Sequence, residues 1–313
     1  MYRKHLILAC CFVVNLSYFN GPVYAQEHTL EIIKVWQHSP APFNKENINL
    51  PEILDEENKR FSQISEAEIY LYRQPSKQNG PALLYIPGGG YARVSIGTDR
   101  GESYAKFFLG LGFTTVAVLK YRLPDSRIVN NQELVPLADA QMALALMHRN
   151  ADAWMIDRNK IGIKGVSAGG HLAASLNNLT ETILAPGVEP DELKQAFTIL
   201  RAPVISFVEP LRHRGSYKRL LGNNAKNEEL LNYYSMEQQV SKDTPPTFLV
   251  VAKDDKSVPY ENSFEYIKQL ELHGVNHEYV LLNKGGHNFG LNRNRVDRHW
   301  LPVMTSWLDA LLN

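Results

Sequence analysis

The stretch Gly165-Val166-Ser167-Ala168-Gly169-Gly170 decides the fold. It follows the strand-like segment Lys160-Ile161-Gly162-Ile163-Lys164 and precedes the helical pattern His171-Leu172-Ala173-Ala174. A Gly-x-Ser-x-Gly pattern at a strand-to-helix turn is typical of a nucleophile elbow, whose strained backbone leaves no room for Cβ atoms. We therefore predict that Ser167 is a nucleophile and that the free N–H groups of the following helix face the negative charge developing beside it. The alternative is a glycine-rich loop that only reverses the chain.

Strand-like and helical segments alternate on both sides of this turn. Short runs rich in β-branched residues predict strands at Glu68 to Tyr72, Ala82 to Ile86, Thr114 to Leu119, Lys160 to Val166, Ile199 to Phe207, Thr247 to Ala252 and His277 to Leu282. Segments of helical period predict helices at Ser103 to Leu111, Leu137 to Arg149, His171 to Leu179, Asn262 to Leu272 and Val303 to Leu312. This alternation predicts an α/β fold with a mostly parallel central sheet and helices on both faces.

A second glycine run, Gly88-Gly89-Gly90, follows the buried strand Ala82 to Ile86 almost directly. Acyl-transfer chemistry needs backbone N–H donors that point at a tetrahedral oxyanion, and glycines let the chain turn back with its amides free. A phosphate-binding loop is the alternative. The run has neither a Gly-Lys-Ser/Thr ending nor a Gly-x-Gly-x-x-Gly spacing, so the sequence favours an oxyanion loop over nucleotide binding.

A carboxylate and an imidazole follow two strands in the C-terminal third of the chain. Asp254 and Asp255 come just after the strand Thr247 to Ala252, and His287 comes after the strand His277 to Leu282. Since α/β sheets keep their sites at the carboxyl ends of parallel strands, these groups are expected close to the nucleophile. The chain order Ser, Asp, His is that of the α/β hydrolases rather than of the other serine-triad folds.

Several residues compete for the acid and base roles. Asp255 is favoured as the acid because a turn and the next helix follow it, and Asp254 is the alternative, with turn hydrogen bonding as its other role. His171 is expected to pack or cap on the helix that follows the nucleophile. His273 and His277 are four residues apart without sharing a helix face, which disfavours a metal pair.

The composition is that of a near-neutral globular chain. Its 313 residues include 33 Lys+Arg and 33 Asp+Glu, and 44% are hydrophobic, which is ample for a buried core. Phosphate binding needs a basic surplus, so nucleic acid is not an expected partner. Residues 26–64 are expected to form a leader segment that wraps the domain, and residues 65–313 one catalytic domain with a polar excursion at 209–245.

The first 25 residues predict a secretory signal peptide. A basic start precedes the apolar run Leu6 to Leu16, and Ala25 is a small residue at the expected cleavage site. The run is shorter than the about 20 residues of a membrane helix, so we expect a periplasmic or secreted protein with no stable membrane insertion after cleavage. Cys10 and Cys11, the two cysteines, fall inside this segment, which excludes disulfides and thiolate metal sites from the mature chain. A membrane anchor and lipidation at Cys10 are the alternatives.

From Ala82 to the C-terminus, the chain resembles the α/β-hydrolase superfamily and, within it, bacterial carbohydrate esterases of the acetyl-xylan esterase type. The motifs that carry the resemblance are Pro87-Gly88-Gly89-Gly90-Tyr91, Lys120-Tyr121-Arg122-Leu123-Pro124, Pro136-Leu137-Ala138-Asp139-Ala140, Gly165 to His171, Asp254 to Pro259 and Gly285 to Gly290. Many relatives have His where this chain has Pro87, a change that leaves the backbone donors intact.

The resemblance implies the roles of the site residues. Ser167 resembles the nucleophile, His287 the general base and acid, and Asp255 the orienting carboxylate. The amides of the glycine run and of the residue after the nucleophile resemble the oxyanion-hole donors, namely Gly89, Gly90 and Ala168. No metal or organic cofactor is implied.

The expected function is that of an exported serine hydrolase that cleaves carboxylic esters. Acetyl or feruloyl groups on plant polysaccharides or oligosaccharides are the expected substrates, with Tyr91 and the segment Arg212-His213-Arg214 as possible sugar contacts. A serine exopeptidase on the same fold and a non-catalytic carbohydrate-binding member are the alternatives. The sequence does not reveal the oligomeric state or the acyl group.

Overall fold

The computed structural model of the protein describes residues 28–46, 50–57, 60–76, 78–96, 101–291 and 299–313. The predicted signal peptide, its cleavage site after Ala25 and Cys10 lie outside the described residues. Within these ranges, no helix combines the length and the apolar character that crossing a membrane requires.

Two β-sheets form the framework of the described chain. Their strands are β1 Thr29–Lys34, β2 Ile53–Asp55, β3 Arg60–Ser62, β4 Glu68–Arg73, β5 Gly80–Ile86, β6 Val94–Ser95, β7 Thr115–Lys120, β8 Ile156–Val166, β9 Phe197–Arg201, β10 Thr247–Ala252 and β11 His277–Leu282. The larger sheet has eight strands in the order β1-β4-β7-β5-β8-β9-β10-β11, and β2, β3 and β6 form the smaller one. β4 is antiparallel to both neighbours, and the strands from β7 to β11 in this order pair in parallel.

Helices cover both faces of the larger sheet. They are α1 Glu102–Gly110, α2 Val135–Arg149, α3 Ala168–Asn178, α4 Arg214–Leu221, α5 Glu228–Tyr233, α6 Glu261–Leu272 and α7 Trp300–Leu312. Ring contacts run from Phe108 on α1 through Phe113 and Phe197 to Trp307 on α7, which puts these two helices on one face. α2 packs against α3, and α3 reaches α6 on the other face through the hydrogen bond from Asn178 to the Tyr266 hydroxyl. The predicted mostly parallel sheet with helices on both faces is thus confirmed.

One predicted strand is shorter than expected. The apolar run Ile199 to Phe207 predicts a single strand, but β9 ends at Arg201. Ala202 has a φ of +43°, and the proline that follows it has no N–H to donate to a neighbouring strand. The chain therefore turns out of the sheet here, and the amide of Val204 donates to the carbonyl oxygen of Ser167 instead (3.0 Å).

The N-terminal segment is built into the same sheets as the rest of the chain. β1 pairs along its whole length with β4, and Phe61 of β3 pairs with Val94 of β6. The residues predicted as a wrapping leader therefore extend the sheet that carries the predicted catalytic domain. The polar excursion at 209–245 carries α4 and α5, and α4 lies against the glycine run.

Candidate active site

Ser167 occupies the sharp turn between β8 and α3. Its φ of +56° and ψ of −123° are strained for a residue with a side chain. Close backbone packing explains the neighbouring glycines, because a Cβ on Gly165 would lie 2.5 Å from the carbonyl oxygen of Gly169, and one on Gly169 would lie 2.3 Å from that of Ile86. The turn thus presents the Ser167 hydroxyl above the carboxyl end of the sheet, as the Gly-x-Ser-x-Gly pattern predicts.

A chain of hydrogen bonds links Ser167, His287 and Asp255. The distance from Oγ of Ser167 to Nε2 of His287 is 2.9 Å, and the distance from Nδ1 of His287 to Oδ2 of Asp255 is 2.7 Å. Oδ1 of Asp255 accepts the amides of Ser257 and Val258. With an ionised Asp255 accepting the Nδ1 proton, Nε2 is left as an acceptor for the serine hydroxyl. The structure brings together the three residues that the sequence predicts.

The environment of Asp255 favours its ionised form. Its side chain is only 2% exposed, and this burial raises the pKa of the carboxyl group. The hydrogen bond from His287 and the amides of Val258 and Ser257 lower the pKa by more, so that it lies below its ordinary value. A carboxylate that remains charged in this position can stabilise an imidazolium on His287.

Asp254 has a different set of partners. Its Oδ1 accepts the amides of both Gly285 and Gly286 at 2.8 Å. These glycines immediately precede His287. Asp254 lies just after β10 and therefore holds in place the loop that carries the imidazole. The preference for Asp255 over Asp254 as the partner of His287 agrees with this geometry.

The glycine run Gly88-Gly89-Gly90 lies beside Ser167. A Cβ on Gly88 would lie 3.0 Å from Cβ of Ser167, and one on Gly89 would lie 1.9 Å from the carbonyl oxygen of Arg93. Gly90 has a φ of +66°, which only glycine adopts readily. Among the described residues, the amides of Gly89, Gly90 and Ala168 have no protein acceptor, so these predicted oxyanion donors are free to bind a ligand.

Tyr91 does not face the site, contrary to the sequence prediction of a sugar contact. The side chain is 3% exposed, and its hydroxyl donates to Nδ1 of His171 at 2.9 Å. Nε2 of His171 donates to the carbonyl oxygen of Tyr234, and its ring stacks on Phe207 with the centroids 4.2 Å apart. Burial lowers the pKa of His171 to about 4, so the ring is neutral at pH 7. The two side chains join the glycine run to α3, a contact that the sequence reasoning missed although both residues follow a Gly-Gly pair.

The cleft above Ser167 has a volume of about 350 Å³ and a strongly basic lining. Arg60, Arg93, Arg201 and Arg219 line it together with His213. Of the predicted contacts Arg212, His213 and Arg214, only His213 lines this cleft. Arg212 pairs with Glu209 instead, and Arg214 is exposed on α4. No group of three His, Cys, Asp or Glu side chains suited to hold a metal ion occurs in the described ranges.

Known proteins of related sequence and structure resemble this chain. An acetylxylan esterase of Xylanibacter ruminicola is 31% identical over 76% of the chain and 47% of its own length, and endo-1,4-beta-xylanase B of Butyrivibrio fibrisolvens is 30% identical over 74% of the chain and 35% of its own length. The chain thus spans half or less of these two relatives. The crystal structure of an acetyl ester-xyloside bifunctional hydrolase from Caldicellulosiruptor lactoaceticus superimposes with a TM-score of 0.73 at 28% identity and covers 90% of this chain and 96% of that one.

A protein-family comparison agrees with these likenesses. The BD-FAE family matches residues 67–270, a range that contains more than half of the chain, the glycine run, Ser167 and Asp255. The motif order, the strand order and the resemblance to the solved hydrolase all fit this match. The chain therefore belongs to the BD-FAE family of α/β hydrolases.

Proposed function

We propose that this protein is an exported serine hydrolase that removes acetyl or feruloyl groups from plant polysaccharides or oligosaccharides. The observation that carries the proposal is the continuous hydrogen-bonded chain from Ser167 through His287 to Asp255, which opens onto a cleft beside free backbone amides. A nucleophile, a base oriented by a carboxylate and free N–H donors are the groups that acyl transfer needs.

The first half of the reaction forms an acyl-enzyme. Oγ of Ser167 attacks the ester carbonyl carbon while Nε2 of His287 takes its proton, and Asp255 stabilises the imidazolium. The amides of Gly89, Gly90 and Ala168 bind the oxyanion. When the tetrahedral intermediate collapses, the bond to the sugar oxygen breaks, and His287 returns its proton to that oxygen. The products are an ester of Ser167 and a free sugar hydroxyl.

The second half releases the acid. Nε2 of His287 removes a proton from a water molecule, whose oxygen attacks the acyl carbon of the Ser167 ester. The same backbone amides bind the second oxyanion, and the proton then passes from His287 to Oγ of Ser167. The net reaction consumes one water molecule and gives a carboxylic acid and an alcohol.

The substrate class is proposed from the relatives. One relative carries the name acetylxylan esterase, another is a xylanase, and the solved hydrolase is named as acting on acetyl esters and xylosides. Polysaccharides of this kind lie outside the cell, which agrees with the predicted signal peptide of residues 1–25. Sequencing the N-terminus of the mature protein tests export and cleavage after Ala25.

The experiment that tests the activity is release of acetate from acetylated xylan by the wild type and by Ser167→Ala. We expect release by the wild type and a fall of at least about 10⁴-fold in the variant, since removing the nucleophile of another serine hydrolase costs even more. A fluorophosphonate probe is expected to label the wild type alone.

The other outcomes separate the competing functions. Cleavage of an aminoacyl-nitroanilide without acetate release would favour an exopeptidase. Absence of both probe labelling and ester cleavage would indicate a non-catalytic member of the family. Cleavage of simple aryl acetates without release from xylan would retain the mechanism and overturn the polysaccharide substrate.

A further inference from the structure

The described lining of the cleft above Ser167 carries several positive charges and no carboxylate. Four guanidinium groups line it, those of Arg60, Arg93, Arg201 and Arg219. No Asp or Glu side chain of the described ranges is part of the lining, and Asp255 is covered by His287. In a chain whose formal charge balances to zero, this concentration of one sign at the candidate site is a local feature.

Ion pairing separates these arginines from all the other described arginines except Arg214, which is exposed on α4. Six arginines elsewhere in the described chain each contact a carboxylate within 4.0 Å, namely Arg73, Arg122, Arg127, Arg149, Arg158 and Arg212. None of the four cleft arginines has such a partner among the described residues. Within the described residues, most guanidinium groups outside the cleft are thus neutralised, whereas those around the candidate nucleophile have no carboxylate partner there.

Arg201 is the most informative of the four because it is buried. It is 8% exposed, and its Nη1 donates to the carbonyl oxygens of His287 and Phe289. Its Nε finds no acceptor within the described structure. Val166 of β8 pairs with Arg201 of β9, so the side chain starts next to the nucleophile turn. A buried charge with incomplete hydrogen bonding is costly unless an opposite charge approaches it.

Arg219 and His213 approach the same cleft from α4. Nη1 of Arg219 lies 3.4 Å from the carbonyl oxygen of Gly90, directly over the glycine run. Nδ1 of His213 accepts the amide of Ser216, which leaves the proton of the neutral ring on Nε2 as a further donor. Arg219 on α4 and His213 just before α4 therefore add a charged guanidinium group and a neutral N–H donor to the cleft.

We propose that the cleft binds esters that carry a carboxylate group close to the scissile bond, and that Arg201 and Arg219 recognise this carboxylate. The inference rests on the proposed ester hydrolysis and specifies its substrate. The carboxylate can belong to the alcohol part, as in an acetylated uronic acid residue of an acidic polysaccharide, or to the acyl part, as in a hemiester of a dicarboxylic acid. Guanidinium groups bind carboxylates through paired hydrogen bonds, so the chemistry is the same for both sources.

Two pairs of substrates distinguish the sources. For the alcohol part, an acetylated methyl glucuronoside is compared with the same acetylated methyl glucoside, which differs only in a CH2OH group for the carboxylate. For the acyl part, the methylumbelliferyl hemiester of succinic acid is compared with methylumbelliferyl butyrate. The quantity measured is the ratio of kcat/KM for the anionic substrate to that for its neutral counterpart.

In one of the two pairs, we expect kcat/KM for the anionic substrate to be at least about ten times that for the neutral one. This factor corresponds to the free energy of one well-formed hydrogen bond to a charged group. The ratio is expected to fall between about 0.05 M and about 0.5 M NaCl, because salt screens partly exposed charges. Arg219→Gln is expected to lower it about fivefold to tenfold, and Arg219→Lys to restore part of it. Arg214→Gln is the matched control, since it removes an exposed arginine of the same helix that does not line the cleft.

Each outcome has a defined consequence. If each neutral substrate has the same kcat/KM as its anionic counterpart, the inference is overturned and the proposed esterase remains. The same holds if Arg219→Gln and Arg214→Gln give equal ratios. A high ratio in one pair alone identifies whether the alcohol or the acyl part carries the charge. If no ester is cleaved and the fluorophosphonate probe does not react, the proposed function itself fails.

Discussion

Asp254 and Asp255 are identical neighbours with separate partners. Asp255 binds the imidazole of His287 and two amides of its own turn, whereas Asp254 binds the two glycine amides just before His287. One carboxylate therefore orients the ring, and the other positions the backbone from which the ring extends. This division gives different expectations for the same substitution at the two positions.

For Asp255→Asn we expect kcat to fall by about 10³ to 10⁴, because an amide donates to Nδ1 and holds His287 in the wrong tautomer. For Asp254→Asn we expect kcat within about tenfold of the wild type, since the amide oxygen can still accept both glycine N–H groups. Steady-state hydrolysis of an aryl acetate measures both values. Equal losses in the two variants would contradict the separate roles.

Sequence reasoning reaches some of these residues and not others, for a physical reason. Ser167, Asp255 and His287 each follow the end of a parallel strand, and such ends meet at one edge of a sheet. Tyr91 follows a glycine at φ +66° and itself has a φ of +59°, so the direction of its side chain depends on a turn that the sequence does not reveal. The sequence reasoning does not identify Arg201 as a site residue, because Arg201 lies inside an apolar run that predicts a longer strand.

At the scale of elements, the contact between the glycine run and α3 depends on one neutral histidine. The His171 ring joins Tyr91 to the carbonyl oxygen of Tyr234 and is fully buried. Burial lowers its pKa to about 4 from the model-peptide value of 6.5. Between these two pH values, the unfolded chain binds more protons than the folded one, so stability rises with pH. The contribution is fully present above pH 6.5 and is lost as the pH falls towards 4.

We expect the contribution of His171 to the free energy of unfolding to fall by about 2 kcal/mol between pH 7 and pH 5. This value follows because each pKa unit represents about 1.4 kcal/mol. His171→Gln lacks this titration, so the difference in free energy of unfolding between the wild type and the variant should shrink by that amount at pH 5. Urea denaturation at both pH values measures it. A difference that does not change with pH would show that the ring is not buried in its neutral form.

The predictability of an element follows from its burial. β7 and β10 are buried along their whole length, and their continuous apolar runs predict them within one residue. β1 was not predicted, because five of its six residues are exposed and its pattern lacks a buried face. α4 and α5 are short and polar and were recognised only as an excursion.

At the scale of the whole molecule, a buried ion pair connects the N-terminal segment to the sheet. Arg122 and Asp139 are both 0% exposed and pair at 2.6 Å. Asp139 also accepts the indole N–H of Trp36, and Arg122 donates to the carbonyl oxygen of Pro42 and to Asn44. These contacts tie the N-terminal segment to α2 and to the loop that follows β7, where the Pro136 to Ala140 and Lys120 to Pro124 motifs lie.

We expect Asp139→Ala to lower the free energy of unfolding by about 3–5 kcal/mol, because it leaves the guanidinium of Arg122 buried without a counter-charge. Urea denaturation measures the loss, and limited proteolysis should cut the segment around Trp36 faster in the variant. Asp152→Ala is the matched control, since it removes the partner of the surface residue Arg158. A loss no larger than that of the control would refute a stabilising role for the pair.

The α/β architecture could be predicted as a whole because strands and helices alternate in the sequence. The place of residues 26–64 could not, because β1 pairs with β4 through backbone groups that leave no side-chain signature. Pro42 and Asn44, two of the partners of Arg122, likewise lie about 80 residues away from it, a separation over which one sequence carries no pairing information.

The contrast between Arg201 and Arg219 has a consequence for engineering this scaffold. Arg201 holds the carbonyl oxygens of His287 and Phe289, so exchanging it disturbs the loop that carries the imidazole. Arg219 is exposed on α4 and touches the glycine run through a single long contact. Libraries randomised along α4 can therefore vary the charge and shape of the cleft while the reacting groups keep their supports.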